Sequence, residues 1–376
     1  SDLSDVSRPN RLDAAGLNAG RLRQSTPGAD MQQSCPSHLK HLQVKPGAKV
    51  SLDDIQPREV DFLGEEDAAR AKLAADVLAI DRLQDRLYLN DGKGHFKISP
   101  AALPKEAASG QVVKAADYDG DGDTDLFVGG RVMPRSFPKT DRSFVLRNDS
   151  KEKDRPVFTD VTKDVCPELE YIGMVTDALW TDFDGDKQPD LILAGEWMPL
   201  TFLKNDNGKL TNVSAQAGVS DKAGWWSSLA AADFDGDGDT DYMAGSYGQN
   251  LYFKGDGKEP LHVYAKDFDG NGWYDPFISC YWFDSLGQRK EYFYHTRDDM
   301  MKQMVSLRRK FYSYGAMGEA TVGDVFTKEQ MEGAQVLAAN WMSSSYVENL
   351  GNGRFSITAL PWQAQLAPVH SMLPMD

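Results

Sequence analysis

Cysteine is scarce in this chain of 376 residues: only Cys35, Cys166 and Cys280 occur. Their spacing is too wide for a zinc motif, and an odd number closes no full disulfide framework. They read as buried or free thiols. Basic charge is also in deficit, with 41 Lys and Arg against 57 Asp and Glu and a net charge of −16. That balance excludes the basic footprint of a nucleic-acid binder. No apolar run approaches the roughly 18 residues of a membrane-spanning helix. The first residues, Ser1-Asp2-Leu3-Ser4, lack the charged and apolar regions of a signal peptide, as those of a mature or truncated chain also would. The six histidines (38, 41, 95, 262, 295, 370) fall in no ligand spacing, and there is no Walker loop, Gly-x-Ser-x-Gly elbow or His-Glu-x-x-His helix. A hydrophobic fraction of 41% is nevertheless ample for a core. The length allows two or three domains, or one large domain built from repeats.

The repeats are acidic. Four nine-residue segments align: Asp117 to Asp125, Asp182 to Asp190, Asp233 to Asp241 and Asp267 to Asp275. Their shared pattern is Asp-x-Asp-x-(Asp/Asn)-x-x-x-Asp. Apolar strand-like runs enter and leave them, as in Leu229-Ala-Ala-Ala232 before the third segment and Leu191-Ile-Leu193 after the second. Three exits end in glycine, at Gly129, Gly195 and Gly245. A second element recurs, an apolar-aromatic run followed by Asn or Gly and a glycine turn, which is a hairpin signal. Its strongest copies run from Arg86 to Phe96 and from Ser345 to Phe355. Weaker ones lie at Phe144 to Asn148, Phe202 to Gly208 and Leu251 to Gly257. The unit is strand, acidic loop, strand, hairpin, about four short strands. Successive loops are 65, 51 and 34 residues apart. Four-stranded repeats of this size predict an all-β chain of propeller blades, each burying its faces against its neighbours.

Closely spaced carboxylates repel unless a cation neutralises them. Calcium takes six to eight oxygens from carboxylates, backbone carbonyls and water. Aspartates at positions 1, 3, 5 and 9 of a curled loop can converge on one ion, with position 7 offering its backbone carbonyl. The candidate ligands are Asp117, Asp119, Asp121, Asp123 and Asp125; Asp182, Asp184, Asp186, Gln188 and Asp190; Asp233, Asp235, Asp237, Asp239 and Asp241; and Asp267, Asp269, Asn271, Trp273 and Asp275. Glycines 120, 185, 236 and 270 permit the curl. An EF-hand or a dockerin-like loop needs an acidic residue at position 12. Here that position holds Val128, Leu193, Ala244 or Ile278, so both are excluded. The competing reading is a solvated acidic turn without metal.

At these residues the chain resembles the FG-GAP/VCBS repeat family, whose best-known members are the propellers of integrin α-chains. The resemblance spans roughly residues 84–376 and implies about four calcium sites, at the positions named above. Lys187 departs from the family's glycine. The stretches Leu83 to Gly94 and Tyr264 to Gly272 are similar to large VCBS-repeat proteins of Bacteroidetes that carry an ASPIC/UnbV module, and residues 27–67 faintly resemble that module's tail. No acidic loop precedes the repeat ending at Phe96, and the chain stops at Met375-Asp376 where another would begin. Five blade-like units are visible where family propellers commonly have seven, so an incomplete propeller is expected.

Residues 1–75 carry no repeat and read as an irregular segment, and residues 76–376 as blades. A helical insertion is predicted over 297–335. One helix runs from Asp298 to Phe311, with acid first and base last, and a second near Thr327 to Gly333 has Thr327 and Gln330 as a capping box. The aromatic pairs and triplets at Trp225-Trp226, Trp273-Tyr274 and Tyr281-Trp282-Phe283 suit either blade packing, which is favoured, or sugar-stacking platforms. The functional expectation is a non-enzymatic, calcium-stabilised binding or scaffold module. It would sit outside the cell or on a bacterial outer-membrane surface and take a protein or glycan partner. The resemblance adds an accessory role to a SusC/SusD-type importer. The alternative is a calcium-dependent polysaccharide lyase, with Arg131 and Lys187 as candidate bases.

Overall fold

The computed structural model describes residues 86–374, apart from 106, 107, 153 and 253. The expectations for residues 1–75, Cys35 and the faint module resemblance at 27–67 lie outside the described residues. The described part is mostly β, with eighteen strands. Strands β1 (Leu87–Asn90) and β2 (Phe96–Ser99) form an isolated hairpin. Next, β3 (Gly110–Ala116), β4 (Asp125–Gly130), β5 (Phe144–Asn148) and β6 (Phe158–Asp160) make a four-stranded antiparallel meander. Helix α1 (Thr162–Val165) leads to a second meander of β7 (Met174–Thr181), β8 (Asp190–Pro199), β9 (Thr201–Asp206) and β10 (Lys209–Asn212). After α2 (Ser214–Ala217) a third begins with β11 (Ala223–Ala232) and β12 (Asp241–Ser246), and the start of β11 pairs with the end of β8, so that the second and third meanders form one continuous eight-stranded sheet.

The third sheet does not continue directly. The chain first builds a separate sheet from β13 (Leu261–Lys266), β14 (Asp275–Phe283), β15 (Arg289–Phe293) and β16 (Gln335–Ala339). Only then do β17 (Ser345–Asn349) and β18 (Phe355–Ala359) complete the order β11-β12-β17-β18. Two expectations are corrected here. The hairpin of the third repeat is the copy at Ser345 to Phe355, and the weaker copy at Leu251 to Gly257 contains no strand among its described residues. The fourth sheet is also not a meander, because β16 returns to pair with β13 in the order β15-β14-β13-β16.

The first strands β3, β7 and β11 of the three meanders lie side by side. Neighbouring sheets then bury each other's faces. Along β8, Leu191 and Leu193 pack toward the first sheet, in one cluster with its Phe127 and Val145. The alternating Ile192 and Ala194 pack toward the third, in one cluster with its Trp226, Tyr242 and Phe355. Two buried faces explain why this strand reads as a continuous apolar run. One exit glycine follows from the same packing: a Cβ on Gly129 would come within 2.7 Å of a Val175 methyl on the neighbouring first strand. Trp225 and Trp226 are buried, as the packing reading expects. Cys166 and Cys280 are free and buried.

The fourth sheet has two different faces. Leu261, Val263, Cys280 and Ala339 pack on Met174, Trp197 and Trp225. Phe277 and Phe293 lie under a methionine-rich helical layer. That layer comprises α3 (Arg297–Gln303), α4 (Leu307–Lys310), α5 (Tyr314–Gly318), α6 (Val322–Val325) and α7 (Lys328–Met331). The single helix expected over 298–311 is thus two, broken at Met304 to Ser306. The capping box is present: Gln330 donates its backbone N–H to Thr327 Oγ1 at 3.3 Å, and Thr327 donates its own to Gln330 Oε1 at 3.0 Å. Among the described residues, no helix is long and apolar enough to cross a membrane.

Candidate metal centres

Each acidic segment is the turn between the first two strands of its sheet, and its last aspartate opens the second strand: Asp125 in β4, Asp190 in β8, Asp241 in β12 and Asp275 in β14. The curl is drawn by the first aspartate. Asp117 accepts from the backbone N–H of Gly120 at 2.9 Å and of Gly122 at 3.0 Å. Asp233 does the same with Gly236 and Gly238, at 2.7 and 3.1 Å. In the second loop the later donor is Lys187, at 2.8 Å, whose φ of 69° is the left-handed value that glycine takes in the other three.

The curl brings carboxylates of positions 1, 3 and 9 together in all four loops. Asp117, Asp119 and Asp125 offer oxygens within 4.8 Å of one another, and so do Asp182, Asp184 and Asp190; Asp233, Asp235 and Asp241; and Asp267, Asp269 and Asp275. Position 5 (Asp121, Asp186, Asp237, Asn271) stands outside these groups. Its side chain instead accepts the backbone N–H of position 7, as Asp121 does from Asp123 at 3.0 Å and Asn271 from Trp273 at 2.8 Å. At position 7, Gln188 accepts from Asn207 N at 2.7 Å, and Trp273 is 55% exposed. Asp123 and Asp239 each keep one buried carboxylate oxygen without a hydrogen-bond partner. A sequestered, unsatisfied anionic oxygen costs free energy. These atoms beside converging carboxylates fit a hard, oxygen-seeking cation.

The last aspartate of each loop is buried. Burial pushes the Asp190 carboxyl up to about 7, and those of Asp125 and Asp275 up to about 6, from an ordinary 3.8. A carboxyl whose folded value is raised stabilises the fold when protonated, and that contribution is lost as pH rises through 6 to 7. A bound cation reverses the penalty by favouring the ionised form. The calcium-dependent gain in melting temperature is therefore expected to grow from pH 5 to pH 7.5. Melting calcium-loaded and chelator-dialysed protein at both values checks this, and an equal gain at both refutes it.

Sequence reasoning overlooked the hairpin asparagines. Asn148, Asn205 and Asn349 each donate the backbone N–H to the buried aspartate of their own sheet, Asp125 at 2.7 Å, Asp190 at 2.7 Å and Asp241 at 2.9 Å. Their side-chain amides donate to the carbonyl just before that aspartate, on Thr124, Pro189 and Thr240. Two of them also reach the preceding sheet: Asn205 to Tyr118 O at 2.7 Å, and Asn349 to Phe183 O at 3.4 Å. The first three loops are thereby stapled into one row. The signal lay in the recurring Asn of the hairpin pattern, which the copy at Leu251 to Gly257 replaces with Gly255. Among the described residues the fourth loop has no such staple: Asp275 keeps the bond from Phe268 N, at 3.1 Å, that its three counterparts also make from Tyr118, Phe183 and Phe234. It lies instead against the β4–β5 connection, where Lys139 sits 4.1 Å above the Tyr274 ring and Arg135 5.9 Å from that of Trp273.

The residue before each asparagine sets a different local charge. Arg147 pairs with Asp149 at 2.9 Å and Glu348 is acidic, whereas the Lys204 ammonium contacts Asp184 and lies 2.9 Å from Asp186. Those two carboxylates hold the ammonium well above its ordinary value. A fixed positive charge opposes a divalent ion in the same loop. The second loop is expected to be the weakest of the three in the row, and Lys204→Met is expected to tighten it by about tenfold. Calorimetric calcium titration of both proteins checks this, and an unchanged weakest site counts against it.

The two candidate lyase bases are not brought together. Arg131 pairs with Glu196 at 2.6 Å, six residues along β8 from the Asp190 end of the second loop, or about 20 Å. Lys187 lies within that loop.

Two stretches of the chain, residues 74–128 and 182–244, match the FG-GAP-like repeat family. The first covers the β1–β2 hairpin and the first acidic loop, and the second covers the second and third loops. These regions are FG-GAP-like repeats; the fourth loop falls in neither. No curated protein matches the chain significantly.

Proposed function

We propose that the chain is a calcium-stabilised, propeller-type binding module without catalytic chemistry of its own. The observation that carries this reading is the convergence of three carboxylates at each of the four acidic turns, with buried unsatisfied oxygens beside them in the first and third loops. Calcium suits loops that supply many oxygens in flexible geometry, whereas magnesium keeps several waters and a strict octahedron. Ions held at modest affinity stay bound where calcium is near millimolar, which suits the extracellular space or an outer-membrane surface as the setting of this reading. Its partner is a protein or a glycan, with importer subunits of the SusC/SusD type as one protein class. FG-GAP-like repeats in general serve as binding scaffolds, which supports this assignment. The test is thermal melting with calcium, with magnesium at equal concentration, and after EDTA. Calcium alone should raise the transition, and an unchanged transition after EDTA overturns the reading.

A further inference from the structure

The described molecule has a groove remote in sequence from the three stapled loops. It has a volume of about 640 Å3 and runs between the β14–β15 hairpin and helices α3 and α5 of the inserted sheet. This lies within the size range of small-molecule sites, about 300–1,000 Å3. Two of its lining aromatic residues are open to solvent. Phe283 and Tyr314 are each 66% exposed, and the partly buried Trp282 is backed by Tyr252, with ring centroids 5.6 Å apart.

Exposed rings on flexible side chains would be of little use to a ligand, but these are held. The Arg289 guanidinium lies 4.9 Å from the centroid of Phe283 and is itself paired with Glu259. The Arg297 guanidinium lies 5.3 Å from the centroid of Tyr314, pairs with Asp298 at 3.2 Å and donates to Phe311 O at 3.0 Å. The Tyr314 hydroxyl donates to Asp298 at 2.8 Å. Ring positions fixed before binding reduce the ordering cost of a ligand.

The charges of the groove narrow the ligand class. Its cations are already matched: Lys290 pairs with Asp284 at 2.8 Å, and Arg297 with Asp298. Glu319 also lines the groove, exposed and with no hydrogen-bond or ion-pair partner for its carboxylate among the described residues. A ligand must therefore stack apolar faces on the rings while offering hydrogen-bond donors to a carboxylate. An anionic sugar would meet Glu319 and find no free cation. A purely apolar ligand would cover the Glu319 carboxylate without offering it a donor.

We infer that this groove is a binding site for neutral oligosaccharides, whose C–H faces stack on Phe283 and Tyr314 and whose hydroxyls donate to Glu319. The inference rests on the binding-module reading and names its ligand and place. It is tested by calorimetry with neutral gluco-, manno- and xylo-oligosaccharides and with oligogalacturonates, on the calcium-loaded chain and its variants. Binding of at least one neutral series is expected, weakened about tenfold or more by Phe283→Ala and by Tyr314→Ala and unchanged by Tyr171→Ala, a control at an exposed tyrosine elsewhere. Both groove rings are exposed, so either variant alone suffices if the other fails to fold. Neutral sugars bound equally by all variants would overturn the site and leave the module reading standing. Binding of galacturonates alone, or of no sugar, would overturn the ligand class. If calcium in the same samples also fails to raise the melting transition, the module reading falls with it.

Discussion

Chelation with EDTA is expected to lower the melting temperature of this protein by more than about 10 °C. The first and third loops carry five aspartates each, with three carboxylates converged and one buried oxygen unsatisfied. An ion present at a hundred times its dissociation constant stabilises the folded state by about 2.7 kcal/mol per site. Two well-filled loops thus contribute about 5 kcal/mol, before the second and fourth are counted. For a domain of this size each kcal/mol moves the transition by about 2–4 °C. Screening of surface charge by salt is separable from this effect, because 1 mM calcium scarcely changes the ionic strength of a 150 mM sodium chloride buffer. Equal stabilisation by magnesium would indicate a diffuse acidic surface rather than shaped sites.

The second large effect is expected from Asn205→Ala, which leaves the metal ligands untouched. The substitution keeps the backbone donor to Asp190 but removes both side-chain amide bonds, to Tyr118 O and Pro189 O, and the acceptor for Gly208 N at 2.9 Å. Asn205 is fully buried, so the orphaned carbonyls gain no water. With about 1 kcal/mol for each lost bond and further desolvation cost, the loss is about 3–4 kcal/mol. The melting transition should fall by about 6–16 °C. Asn148→Ala, which removes one exposed amide bond and the partly exposed acceptor for Ser150 but reaches no neighbouring sheet, should cost about 1–2 kcal/mol. Equal losses for the two variants in thermal melts would show that the staple between the first and second sheets carries no special stability. The net charge of −16 belongs to the same picture. Seventeen of the aspartates sit in the four loops, and four bound calcium ions would halve the net charge to −8.

Much of this protein was legible in one dimension because its repeat chemistry is local. Nine residues suffice to curl a carboxylate turn, so the ligand spacing of Asp117 to Asp125 and its three copies could be read directly. So could the exclusion of an EF-hand from Val128, Leu193, Ala244 and Ile278. The apolar strand-like run of Leu191 to Leu193 and the capping box at Thr327 are also properties of neighbouring residues. The pairing of hairpins with loops was not legible, because it is decided over distance. Asp241 takes its backbone donor from Asn349, 108 residues away, across an inserted sheet. The nearer copy at Leu251 to Gly257 has the turn glycines but lacks the amide that reaches a neighbouring sheet. Tertiary structure alone decided that the fourth loop lies apart from the row of three, against Lys139 and Arg135, and that Lys204 enters the second loop. It also decided that Trp226 is sealed in a core while Phe283 faces a groove. The sequence by itself determined the acidic turns and the strands that bear them, since both follow from residues in immediate succession. Which turns share a row, and which aromatic rings meet solvent, depends on side chains brought together by packing, and no spacing along the chain encodes that.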